Sequence, residues 1–165
     1  MRRSTYLIAL GSNRAGRHGG PRQEVAAALR LLGGIASPII ASAPVGPSTR
    51  TFANAAALIE SDEAPAALLR RLKAIERAFG RGRGRRWGAR VIDLDIVLWL
   101  GGRVDTRALC VPHRAFRERA FVLEPASRIA PGWRDPVTGL TIRQLHARLT
   151  RRRPAPSSRE HCWGP

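Results

Sequence analysis

Cysteine is nearly absent. Cys110 and Cys162 are too few and too far apart for a disulfide framework, so a reducing compartment is expected. Long apolar runs are missing as well, and none approaches the roughly 20 residues needed to cross a bilayer. Tyr6-Leu7-Ile8-Ala9-Leu10 stops at Gly11-Ser12-Asn13, too short for a signal core behind Arg2-Arg3. The expectation is a cytoplasmic chain with no membrane partner. Aromatic residues make up only 5%, which argues against a sheet that binds RNA through exposed aromatics on neighbouring central strands. Acidic residues are scarce too, 12 against 29 basic ones, for a formal charge of +17. That excess suits phosphate-bearing partners without choosing among nucleotide, nucleic acid and anionic membrane. Lysine occurs once, as Lys73, so nearly all the positive charge is arginine, whose planar fork grips phosphate oxygens in pairs.

What is present fits an ordinary folded domain. Hydrophobic residues account for 44% of 165 positions, enough for one core without staples, expected over 1–150 and followed by a basic flexible tail at 151–165. Residues 4–11 read as a buried strand, 14–22 as a loop rich in Gly and Arg, and 23–32 as a helix. That helix is signalled by Val25, Ala28, Leu29 and Leu32 at helical spacing and stopped by Gly33-Gly34. A second strand is expected over 35–42, at an edge because of Pro38, and a third over 52–61. Asp62 is the expected cap of a second helix, with Pro65 in its first turn and Leu68, Leu69, Leu72, Ile75, Glu76 and Phe79 in period. A basic loop at 80–88 precedes a strong strand at 91–100, a Gly101-Gly102 turn, two short helical candidates after Pro112 and a last helix at 141–149. The order β-α-β-β-α-β predicts an α+β, ferredoxin-like core with an antiparallel sheet and extra C-terminal elements.

The segment Arg86-Trp87-Gly88-Ala89-Arg90-Val91-Ile92-Asp93-Leu94-Asp95-Ile96-Val97 carries the most chemistry. On a strand, alternate side chains share a face, so Asp93 and Asp95 project together while Ile92, Leu94 and Ile96 point the other way. Two carboxylates on one face repel each other and resist desolvation, and a divalent cation offsets both costs. Magnesium suits such a pair because it takes oxygen ligands and leaves room for phosphate and water. A lone Asp-x-Asp more often reads as one solvated residue and one turn cap. Here five arginines, counting Arg90, stand just before the pair, which is the equipment phosphoryl transfer needs.

This segment resembles the signature of the 6-hydroxymethyl-7,8-dihydropterin pyrophosphokinase family. Ala9-Leu10-Gly11-Ser12-Asn13, Pro44-Val45-Gly46-Pro47 with Phe52-Ala53-Asn54-Ala55-Ala56, and Val111-Pro112-His113 with Arg119-Ala120-Phe121-Val122-Leu123 are similar to other blocks of that family, in order, across 6–149. The resemblance implies pyrophosphate transfer from ATP to the pterin in folate biosynthesis, by a monomer acting on small molecules. Asp93 and Asp95 would hold two magnesium ions bridging the ATP phosphates. Asn54 would hydrogen-bond the pterin, with Phe52 and Phe121 stacked on its faces and Val45 and Gly46 in the pterin-side loop. Glu76 would lie near the nucleotide, and His113 and Arg119 would contact phosphate. Arg81, Arg83, Trp87 and Arg90 would belong to a mobile loop closing over the substrates.

Three rivals are weighed beside this reading. The basic charge and the run Arg151-Arg152-Arg153 suit a nucleic-acid-binding module, which the paucity of aromatics opposes. A nucleotidyltransferase also combines Gly-Ser with Asp-x-Asp, but there the motifs lie close in sequence, whereas Ser12 and Asp93 are expected at opposite ends of the core. A diverged, inactive relative is the third. The loop after Asn13 is longer and richer in Gly and Arg than the family pattern, so its role stays open.

Overall fold

The computed structural model describes residues 3–42, 51–80 and 91–151. Val45 and Gly46 of the expected pterin-side loop, most of the basic loop at 80–88 and nearly all of the tail lie outside the described residues. The elements run β1 (Ser4–Ser12), α1 (Pro21–Leu32), β2 (Ile35–Ala36), β3 (Ile40–Ser42), β4 (Phe52–Ser61), α2 (Pro65–Gly80), β5 (Asp93–Trp99), β6 (Val104–Asp105), β7 (Cys110–Val111), a 3-10 turn (Phe116–Glu118), α3 (Ala120–Ile129) and α4 (Ile142–Thr150). The main sheet has the order β2-β4-β1-β5, with β3 also on β4, and every pairing is antiparallel. This is the expected α+β, ferredoxin-like core.

Two local expectations need correction. The single strand at 35–42 is split into β2 and β3, because Pro38 cannot donate to the ladder. Ser37 repairs the break: its N–H donates to Ala56 O and its hydroxyl accepts from Ala56 N–H, both at 2.8 Å. Asp62 does not cap α2, which starts at Pro65, so the preceding position is Ala64, whose carbonyl takes the N–H groups of Ala67 and Leu68. The other departures are small. Helix α1 starts at Pro21 rather than 23, since proline is well suited to a first helical position. The last helix is capped by Thr141 and Gln144 in a reciprocal box.

The sheet is covered on both faces. Tyr6, Ile8, Leu10, Ile92, Leu94 and Ile96 pack against Val25 and Ala28 of α1 and Leu68, Leu72 and Phe79 of α2. On the opposite face Leu7, Ala56, Val97 and Leu98 pack against Phe116, Leu123, Ala126, Ile142 and Leu145, so α3 and α4 form a second layer. Burial on both faces explains why β1 and β4 read as nearly continuous apolar runs. Strand β5 carries one irregularity. Leu7 pairs with Leu98 and Ile8 with Ile96, leaving Val97 as a bulge residue. Val97 and Leu98 consequently both belong to the second layer, and the Val97 carbonyl accepts the N–H of His113 at 3.0 Å.

Candidate active site

Sheet pairing brings the chemistry-bearing residues into rows. Gly11 of β1 pairs with Asp93 of β5 on one side and with Asn54 of β4 on the other, and Ala9 likewise pairs with Asp95 and Ala56. At about 4.8 Å between neighbouring strands, Asp93 and Asn54 stand about 10 Å apart on one face of the sheet. The strip between them is paved only by Gly11, with Ala9 in the next row. A Cβ on Gly11 would come within 3.2 Å of Asn54 Oδ1, a tight contact that Asn54 would have to yield to by a few tenths of an ångström. The carboxylates project as alternation dictates, with Ile92, Leu94 and Ile96 turned into the opposite layer. The expected separation of Ser12 from Asp93 is overturned, because the antiparallel pairing of β1 with β5 folds the two motifs together.

The remaining candidates divide between the two ends of this floor. On the amide side, Asn54 is buried and its Nδ2 donates to Ser42 Oγ at 2.6 Å, which fixes the amide. Half-buried Phe52 lies two residues before it on the same face of β4, and Phe121, at the start of α3, packs against the second layer. On the acidic side, Asp93 is exposed at the start of β5 and Asp95 is half-buried. His113, hung on the bulged carbonyl of Val97, accepts Ala115 N–H at Nδ1, at 3.3 Å, leaving Nε2 to carry the ring hydrogen. Burial pulls the His113 imidazole below its ordinary pKa, the Asp95 carboxylate opposes this, and Arg119 and Lys73 reinforce it. An uncharged imidazole therefore stands near Asp95 at neutral pH. Arg119 precedes α3, its guanidinium 5.8 Å from the Phe121 ring centre.

Glu76, on α2, reaches the backbone of β5. It is buried, and its Oε1 accepts Leu94 N–H at 2.7 Å and Lys73 Nζ at 2.7 Å. Lys73 also donates to Leu94 O at 3.3 Å and stands 3.9 Å from Asp95 Oδ1. Helix α2 thus grips both peptide groups of Leu94, between the two aspartates, along the outer edge of β5. Lys73 and Gly11 were missed as site residues by the sequence reading. The signal for Lys73 was its standing as the single lysine of an arginine-rich chain. Val45, Gly46, Arg81, Arg83, Trp87 and Arg90 lie outside the described residues. Among the described residues no group of three His, Cys, Asp or Glu side chains gathers as a metal site.

A family profile described as 7,8-dihydro-6-hydroxymethylpterin-pyrophosphokinase (HPPK) matches residues 7–131. The chain belongs to the HPPK family. Among similar relatives, a protein of Pseudomonas aeruginosa named 2-amino-4-hydroxy-6-hydroxymethyldihydropteridine pyrophosphokinase is 41% identical over 139 residues, covering 78% of this chain and 82% of its own length. A protein of the same name from Methylorubrum extorquens is 46% identical over 98 residues, covering 59% of this chain and 61% of its own. The aligned stretch thus spans less than two thirds of that relative. The solved structure of wild-type HPPK-DHPS from Plasmodium falciparum with pteroate covers 89% of this chain and 42% of its own, at a TM-score of 0.67 and 14% identity. That likeness concerns the HPPK fold.

Proposed function

We propose that this HPPK-family chain transfers the terminal pyrophosphoryl group of ATP to 6-hydroxymethyl-7,8-dihydropterin, yielding AMP and the pterin diphosphate for folate biosynthesis. The observation that carries the proposal is the row Asn54–Gly11–Asp93: a fixed amide and a carboxylate pair at opposite ends of a floor without side chains. A flat heteroaromatic ring fits such a strip, read at its edge by Asn54 and stacked by Phe52 and Phe121. Val45 and Gly46 complete the pterin side by resemblance.

Asp93 and Asp95 offer an all-oxygen donor set with most of a six-coordinate shell left to phosphate oxygens and water, which fits magnesium, two ions by resemblance. Bound there, magnesium supplies charge neutralisation and acidifies the attacking hydroxyl. The hydroxymethyl oxygen attacks the β-phosphorus and gives up its proton to water, and the bond from that phosphorus to the oxygen shared with the α-phosphorus breaks. AMP leaves with that oxygen. His113, through Nε2–H, and Arg119 hold phosphate oxygens in place. Glu76 fixes the Leu94 peptide and so the carboxylates on either side. Arg81, Arg83, Trp87 and Arg90 contribute phosphate and nucleotide contacts in this reading. The proposal includes a cytoplasmic monomer working on small molecules.

An RNA-binding platform is disfavoured, since both sheet faces carry helices and the central strands β1 and β4 bear only buried Tyr6 and half-buried Phe52 as aromatics. Among the described residues, no helix is long and apolar enough to cross a membrane. AMP release from ATP with magnesium, with and without the pterin, tests the proposal. AMP that requires the pterin and falls at least about a hundredfold in Asp93→Ala is expected. A folded protein that releases none with the pterin present overturns it.

A further inference from the structure

The single lysine of this chain sits where the acidic pair meets α2, and every other member of the 29 Lys and Arg residues is arginine. Geometry gives a reason for that exception. An ammonium carries three donors in a tetrahedral spread, while a guanidinium spreads its five in a plane. Lys73 Nζ stands within reach of three oxygens, donating to Glu76 Oε1 at 2.7 Å and Leu94 O at 3.3 Å and pairing with Asp95 Oδ1 at 3.9 Å. The first two are the tighter contacts, and both belong to the clamp on the Leu94 peptide. The ammonium is therefore held by Glu76 and by the backbone of β5, beside the Asp95 carboxylate. Its side chain is 30% exposed and that of Asp95 40%, so the pair is reached by solvent and by ions.

We propose that Lys73 is the resident counter-cation of Asp95 in the nucleotide-free protein, and that it weakens divalent-cation binding to the acidic pair until nucleotide phosphates arrive. The inference rests on the reading of Asp93 and Asp95 as the metal-holding pair. Two consequences follow from the charges alone. A fixed positive charge a few ångströms from a dication opposes its binding, so bare metal loads poorly. The polyphosphate of ATP brings enough negative charge to outweigh that opposition, which makes metal loading follow the nucleotide. Lys73 is in this sense a positioning residue for the carboxylates and acts on the reaction through Asp95.

The test is manganese binding to the nucleotide-free protein, followed by loss of the free-ion signal in electron paramagnetic resonance at low ionic strength. Lys73→Met keeps the length of the side chain and removes its charge. Manganese is expected to bind this variant about tenfold tighter than the wild type, the effect of one charge about 5 Å from a dication near solvent. Lys73→Arg keeps the charge and is expected to bind within about threefold of the wild type. The gap between Lys73→Met and wild type is expected to shrink as salt is added. If Lys73 only braces the strand, Lys73→Met binds manganese no tighter or more weakly, and the inference is overturned. Lys73→Gln, tested alongside with thermal melting of each variant, covers the case in which Lys73→Met does not fold. Manganese bound equally by wild type and Asp95→Asn in the presence of α,β-methylene-ATP would instead overturn the underlying metal assignment.

Discussion

Replacing Asp135 by Asn isolates the contact that ties the phosphate-side segment to the rest of the second layer. Asp135 is fully buried in the turn before α4, and its two oxygens accept Arg117 Nε and Nη2, each at 2.7 Å. It also accepts the N–H groups of Val137 and Thr138 and the Thr138 hydroxyl. Burial pushes this carboxyl upward, but the Arg117 fork, the Thr138 hydroxyl and the Val137 N–H outweigh it and hold the pKa at about 2, against an ordinary 3.8. The folded state therefore prefers the ionised form by about 2 kcal/mol. That stability is fully present above the unfolded value near 4 and is lost as pH falls toward 2. Between pH 6 and pH 3, about 1 kcal/mol of it is expected to disappear. Asp135→Asn is expected to cost about 3 kcal/mol at pH 7, because Arg117 keeps its charge without its partner. Urea unfolding of both proteins at pH 6 and pH 3 reads the difference, which is expected to narrow at the lower pH. A gap that stays constant with pH, or one below about 0.5 kcal/mol at pH 7, would refute this assignment of the Arg117–Asp135 pair.

Gly11→Val places branched carbon against Asn54 Oδ1 and fills the floor between the amide and the carboxylates. The KM for the pterin is expected to rise at least about tenfold with far-ultraviolet circular dichroism unchanged, and an unaltered KM would remove Gly11 from the site. Leu123 has no exposed surface and lies at the centre of the layer formed by α3 and α4. Leu123→Ala is expected to lower stability by about 2–5 kcal/mol, seen as a lower urea midpoint with an unchanged slope.

Much of this arrangement was legible because the relevant rules are local. The alternation of Asp93 and Asp95 against Ile92, Leu94 and Ile96 needs only the period of a strand, and β4 matched residue for residue. Pro38 signals an edge, yet the rupture into β2 and β3 depends on Ser37 finding Ala56 across the sheet. The start of α1 was hidden in a stretch rich in Gly and Arg. Fully buried Glu24, in the first turn, reaches back to accept the backbone N–H of His18 at 2.6 Å and pairs with its ring at 2.8 Å. That link organises a loop whose composition suggested none. The bulge at Val97 was beyond reach for a different reason. It is a property of the pairing with β1, and without it nothing shows why His113, sixteen positions on from Val97, returns to the side of Asp95. Lys73 was visible in the composition, but its meaning appears only once α2 lies along β5.

The most direct test of the site is a crystal structure of the protein with manganese, α,β-methylene-ATP and 6-hydroxymethyl-7,8-dihydropterin. Pterin density over Gly11, in contact with Asn54, and a manganese anomalous peak at Asp93 and Asp95 are the expected result. Ligand density away from that strip, or manganese bound elsewhere with both aspartates in solvent, would contradict it.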